Sequence, residues 1–201
     1  MPHRDLDQEL IDAARAGWAA EVSELLACGA DPRCSNSAAL RLAVAYGHVE
    51  CARLLLPVSK PRAEGSQALR WAAARGHAEC VGLLLPASDA KVNESDALMG
   101  TAISGHVECA WILLAASGQL CEIGGLLDYV VAAGQAKVAA LLIEEEPRLL
   151  DGGNLPKCIA QALDNSHGDL ASYLSSIIDQ RELGDVAPDA SPWGWRGHAR
   201  L

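Results

Sequence analysis

Apolar residues along the chain gather in short blocks separated by glycine, and the first two blocks define a unit. Asp7-Gln8-Glu9-Leu10-Ile11-Asp12-Ala13-Ala14-Arg15-Ala16-Gly17 opens on a carboxylate that can cap a helix and closes on a glycine that can end one. The next block places Val22, Leu25 and Leu26 on one helical face and stops at Cys28-Gly29-Ala30-Asp31-Pro32, a turn made of Gly and a pre-proline residue. Helix, tight turn, helix and loop form one repeat.

The unit recurs with a fixed phrase. Gly47-His48-Val49-Glu50-Cys51-Ala52, Gly76-His77-Ala78-Glu79-Cys80-Val81 and Gly105-His106-Val107-Glu108-Cys109-Ala110 start 29 residues apart, and each runs into a Leu-rich stretch. A period in this range means stacked repeats. The pattern can be indexed at both ends. Cap positions read Asp7, Ser37, Ser66, Ser95, Gly124 and Pro156, and turn positions read Gly17, Gly47, Gly76, Gly105, Gly134 and Ser166, always 10 residues later. The spacing predicts first helices and turns of constant length, with insertions confined to loops. About six repeats result, near residues 7–36, 37–65, 66–94, 95–123, 124–155 and 156–180, followed by an irregular tail over 181–201.

These motifs resemble the ankyrin-repeat family. The resemblance rests on Ala-Ala-x-x-Gly-His (Ala72 to His77), on Gly-His-Val-Glu-x-Ala-x-Leu-Leu-Leu (Gly47 to Leu56), and on Leu-Leu-Ala-Cys-Gly-Ala-Asp-Pro (Leu25 to Pro32). It implies an all-α solenoid of helix-turn-helix repeats that binds proteins. The family's Thr-Pro-Leu-His opening is missing, replaced by Ser66-Gln67-Ala68-Leu69-Arg70, and a 29-residue period is shorter than the usual ~33. With helices of constant length, the deficit falls on the projecting hairpin, so stubby loops with little or no β-structure are expected.

Composition supports the helical reading. Half of the 201 residues are hydrophobic, aromatics make up 4%, and Phe is absent, which favours closely packed helices over a β-sandwich. A net charge of −10 argues against nucleic acid and anionic membranes and for a basic-faced protein partner. Residues 181–201 sum to zero, so the acidity belongs to the repeats. No signal peptide or membrane-spanning run is readable. Seven cysteines without a C-x-x-C pair read as reduced thiols in the cytoplasm. A monomer is the expected state.

The candidate chemistry dissolves into the repeat. His-x-Glu-Cys at His48, His77 and His106 could begin a zinc deaminase signature, but the Pro-Cys-x-x-Cys that would complete it is absent. The structural alternative has each His hydrogen-bonding around its own turn, each Glu in a favourable first turn, and Cys51, Cys80 and Cys109 as small buried apolar residues. No catalytic residue, metal or cofactor is expected. Trp71 is expected to pack in the core, and Trp111, at the place of Glu24, Arg53 and Gly82, to face solvent as an interface anchor. Glu144-Glu145-Glu146 ends a second helix, where acids sit poorly with the helix dipole.

The resemblance further implies that the two residues before each turn project onto the concave surface. Here they run Arg15-Ala16, Ala45-Tyr46, Ala74-Arg75, Ile103-Ser104, Ala132-Ala133 and Asp164-Asn165. The candidate partner-binding residues are therefore Arg15, Tyr46, Arg75, Ile103, Ser104 and Asn165, together with Trp111. An adaptor or scaffold is the expected role. An inhibitor or immunity protein occluding a basic-faced toxin or enzyme, or a secreted effector, are the alternatives. Trp193, Trp195, Arg196 and Arg200 make the tail a candidate docking segment.

Overall fold

The computed structural model describes residues 5–88, 90–117, 124–145, 147–150 and 153–182. Of the irregular docking tail expected over 181–201, residues 181 and 182 still belong to a helix and 183–201 lie outside the described residues, as do Cys121 and Glu146. Two compact units are present, residues 1–118 and 119–201. The first contains α1 (Leu6–Ala16), α2 (Ala19–Ala27), α3 (Cys34–Ala45), α4 (Val49–Leu55), α5 (Ala63–Ala74), α6 (Ala78–Leu84), α7 (Ala90–Ser104) and α8 (Val107–Ser117). The second contains α9 (Gly124–Ala132), α10 (Ala136–Glu145), α11 (Asn154–Asp164) and α12 (Gly168–Glu182). No strand occurs among the described residues.

Within the first unit α1, α3, α5 and α7 pack in succession as one layer, and α2, α4, α6 and α8 form a second layer behind it. Each first helix also contacts its own second helix. This two-layer stacking is the helical solenoid that the repeat pattern implies. In the second unit α9 packs on α10 and α11, and α11 on α12.

The core repeats as the sequence does. Leu10, Leu40, Leu69, Leu98 and Leu127 lie seven residues before their turns, and all are buried. Leu25, Leu55, Leu84, Leu113, Leu142 and Leu174 occupy the matching place on the second helices and are buried as well. Small residues fill the spaces between these leucines, with Ala13, Ala43, Ala72 and Ala73 almost fully buried. Such side chains let neighbouring helices approach within about 8–10 Å. Cys51, Cys80 and Cys109 are packed into the core of the first unit and Cys158 into that of the second. Burial pushes each of these thiols up, with Glu108 and then Cys80 adding at Cys109 to reach about 11.

All six turn residues adopt positive φ, between +63° at Ser166 and +83° at Gly17. This left-handed conformation closes a helix by presenting the next N–H to its last carbonyls. The cap positions require correction. The α1 cap is Asp5, whose carboxylate accepts from the Gln8 N–H at 3.2 Å. Asp7 lies inside the first turn and accepts from the Asp31 N–H at 2.6 Å, across its own repeat. Ser37 likewise accepts from the Lys60 N–H at 2.9 Å, and it sits in a left-handed stretch (Ser35 to Ser37) that leads into the regular helix. These side chains tie the loop after the second helix to the start of the first.

Candidate interaction surface

The phrase that organises the sequence turns out to join one repeat to the next. His48 donates from Nε2 to the Arg15 carbonyl at 3.0 Å, His77 to Ala45 at 3.1 Å, and His167 to Ala132 at 3.1 Å. Each ring lies directly over the preceding turn glycine. A Cβ built on Gly17, Gly47, Gly76 or Gly134 would come within 2.6 Å of the ring of His48, His77, His106 or His167. The expected bond around the histidine's own turn is therefore replaced by a bond to the repeat before it. Glycine is needed twice over at these turns, for its φ and for the ring above it.

This arrangement sends the three side chains of His-x-Glu-Cys to different surroundings. The imidazoles span repeats, Glu50, Glu79 and Glu108 are exposed, and the thiols are buried. Among the described residues no three His, Cys, Asp or Glu side chains converge to hold a metal.

The face of the first helices in the first unit carries most of the residues expected to bind. Arg15 is exposed and pairs with Asp12 at 2.9 Å. Tyr46 is 50% exposed and Ile103 43%, and Ser104 is exposed beside it. The structure brings Arg75 onto Tyr46. Its guanidinium lies 5.2 Å from the ring centroid while Nη1 donates to the Ala45 carbonyl at 2.9 Å. The His48 ring also stacks with Tyr46, its centroid 6.3 Å away. Asn165 is exposed in the second unit.

Two tryptophans depart from expectation. Trp71 is 36% exposed, because its place five residues before the turn puts it on the outer side of α5, with the Arg41 guanidinium 5.7 Å from its ring. Trp111 is only half-buried on α8, so it is less open to solvent than its counterparts suggested.

Sequence reasoning missed a polar ladder on this same face. Arg41 donates to Gln67, Arg70 pairs with Asp96 at 3.5 Å, and in the second unit Lys157 pairs with Asp128 at 2.6 Å. The partners lie 26, 26 and 29 residues apart, always three short of the local period. A search for complementary pairs at the period less one helical turn would have found them. At the loop edge Arg33 Nε donates to the Val58 carbonyl at 3.1 Å, and Arg62 Nε to the Ala87 carbonyl at 3.3 Å, one repeat on in each case.

Comparison with known families places these features in context. A family model described as ankyrin repeats, in three copies, matches residues 10–96 and again residues 58–125. No curated protein matches the chain.

Proposed function

The chain belongs to the ankyrin-repeat family, and from that premise we propose that it is a non-enzymatic adaptor whose first-helix face holds a protein partner. Repeats of this family form protein–protein interaction modules in general. One observation carries the finer reading. Tyr46, Trp71, Met99 and Ile103 are exposed on one face of consecutive first helices, although the core leucines of those helices are buried. Aromatic and apolar side chains left exposed on a rigid scaffold are what an interface core is made from. Arg75, stacked on Tyr46, adds a held donor at the same place. Arg15 and Ser104 extend the surface toward its two edges, Trp111 offers a half-buried ring on the second-helix layer, and Asn165 is its counterpart in the second unit.

A second reading rests on a different surface. Glu50, Glu79 and Glu108 recur exposed at the start of the second helices, and a basic-faced toxin or enzyme occluded by the chain would meet that row. In both readings the chain works as a monomer in the cytoplasm, a reducing compartment that suits its buried thiols. Among the described residues no helix is long and apolar enough to cross a membrane.

Affinity capture from the source cells, with the wild type beside Tyr46→Ala/Arg75→Ala, separates the two. The adaptor reading expects the partner to be lost from the double variant. Full retention by that variant, with loss in Glu50→Gln/Glu79→Gln, would transfer the function to the acidic row.

A further inference from the structure

The net charge of −10 hides a local reversal. Residues 32–47 and 60–76, the loops and first helices of the second and third repeats, hold Arg33, Arg41, Lys60, Arg62, Arg70 and Arg75 against one acid, Glu64. Acids bound this patch on both sides. The first repeat contributes Asp5, Asp7, Glu9 and Asp12 around α1 and Asp31, whose carboxylate accepts the Arg33 N–H at 2.9 Å, and the fourth contributes Asp96 on α7, paired with Arg70. The protein is acidic as a whole, yet its central interaction face is basic.

The cations stand at two edges with apolar surface between them. Arg33 and Lys60 are exposed in the loops before α3 and α5, and Arg75 is exposed at the far end of α5. Between these edges lies the exposed ring of Trp71, one helical turn before Arg75, while Tyr46 stands at the Arg75 edge itself, beneath the guanidinium. Arg75 is pre-organised, since stacking on Tyr46 occupies its guanidinium face and the Ala45 carbonyl takes one Nη1 hydrogen, which leaves other edge donors for a carboxylate. Arg33 is held through Nε alone, which leaves its terminal donors. Among the described residues the Lys60 ammonium has no partner; only its backbone N–H is bonded, to Ser37. A rise of about 1.5 Å per residue along α5 sets the two cationic edges roughly 15–20 Å apart. An extended chain spans that distance in about five or six residues.

We infer that the partner presents an extended acidic segment, with carboxylates at its two ends, received by Arg33 and Lys60 at one edge and by Arg75, held on Tyr46, at the other, and an aromatic or aliphatic residue between them on Trp71. This rests on the first-helix face being the interaction surface, and it names that surface's ligand chemistry. Charge complementarity selects the occupant. A basic segment would meet the exposed cations Arg33, Lys60, Arg62 and Arg75, and a long nucleic acid would run past a patch about two repeats wide, roughly 20 Å, into the flanking acids. At physiological salt charges interact over about 8 Å, so those acids are felt where they stand and are not averaged away.

The test is fluorescence anisotropy with a short synthetic peptide that carries paired aspartates at each end of a Trp-Leu centre. Its Asn-for-Asp and Lys-for-Asp analogues and a single-stranded oligouridylate serve as rival probes. The aspartate peptide is expected to bind best, to weaken as salt is raised, and to lose roughly five- to tenfold in affinity to Lys60→Gln/Arg75→Gln. Circular dichroism and Lys60→Gln alone guard against a folding artefact. Equal or tighter binding of the Asn peptide, the Lys peptide or the RNA overturns the inference, as does no binding by any probe. If a rival peptide binds and Tyr46→Ala abolishes that binding, the interaction surface stands while its acidic ligand falls. If peptide binding is indifferent to Tyr46→Ala as well, both fall.

Discussion

Replacing Gly47 by alanine probes the joint between the second and third repeats. Gly47 has φ +77°, where a Cβ costs about 1 kcal/mol in backbone strain. The new Cβ would also stand 2.6 Å from His77 Nδ1 and 2.8 Å from its Cε1, well inside ordinary contact. The ring must move, and its 3.1 Å bond to the Ala45 carbonyl goes with it, a further loss of about 1 kcal/mol. The sum is about 2–3 kcal/mol. Gly29 is the internal control. Its φ is +93° but nothing lies within 4 Å of a built Cβ, so Gly29→Ala should cost only the backbone part, about 1 kcal/mol. Urea denaturation followed by far-ultraviolet circular dichroism measures both. Removing the ring should relieve the clash, so Gly47→Ala/His77→Ala should fall short of additivity by about 1 kcal/mol. Gln135 occupies the equivalent place in the fifth repeat, and His77→Gln should accordingly be milder than His77→Ala. Equal costs for Gly47→Ala and Gly29→Ala, or strict additivity in the cycle, would refute the account of histidine as an inter-repeat wedge.

Three further outcomes follow from burial and from the loop hydrogen bonds. Cys28 is exposed whereas Cys51, Cys80, Cys109 and Cys158 are buried with raised pKa values, so an alkylating reagent should label Cys28 in the native protein and the other four only on unfolding. Cys109, pushed up from the ordinary 9.0 to about 11, contributes stability that is present below pH 9 and lost as pH rises toward 11, because the unfolded thiol ionises first; Cys109→Ala should flatten the alkaline arm of the stability profile. Ser37 is fully buried and accepts the Lys60 N–H, so Ser37→Ala should cost about 1–2 kcal/mol, whereas Asp7→Ala exposes the Asp31 N–H to water and should cost about half as much; urea midpoints decide.

The helices, their turns and the buried leucines were legible because each is a local or periodic property. Gly47, His48 and Leu55 announce a turn, an entry and a core position without reference to distant parts of the chain. The candidate surface was legible in part. Tyr46 and Arg75 stood out as variable residues before a constant glycine, but nothing local indicated that they touch. The general tendency of tryptophan to be buried predicts Trp71 in the core. Its position five residues before the turn puts it outside the apolar stripe, and position prevailed over residue type.

The −10 charge is a property of the whole chain and does not describe any one surface. Net charge sums over every face, whereas a partner meets only one, and six of the seven cations of the second and third repeats lie in the loops and first helices, with Arg53 alone on a second helix. The acids recur instead at Glu50, Glu79 and Glu108, where they favour the starts of second helices.

What the sequence by itself determined is the repeat: its period, its helices, its left-handed turns and which residues go inside, since these follow from spacing and from conformations that few residues adopt. What only the tertiary structure decided is every contact between repeats. His48 reaches the carbonyl of Arg15, Arg75 covers Tyr46, and Arg41 meets both Gln67 and Trp71, each across roughly one period of chain. The period reveals that such residues are equivalent. The rotation and rise from one repeat to the next settle which of them meet, and these come from how leucine and alanine side chains interlock between the layers.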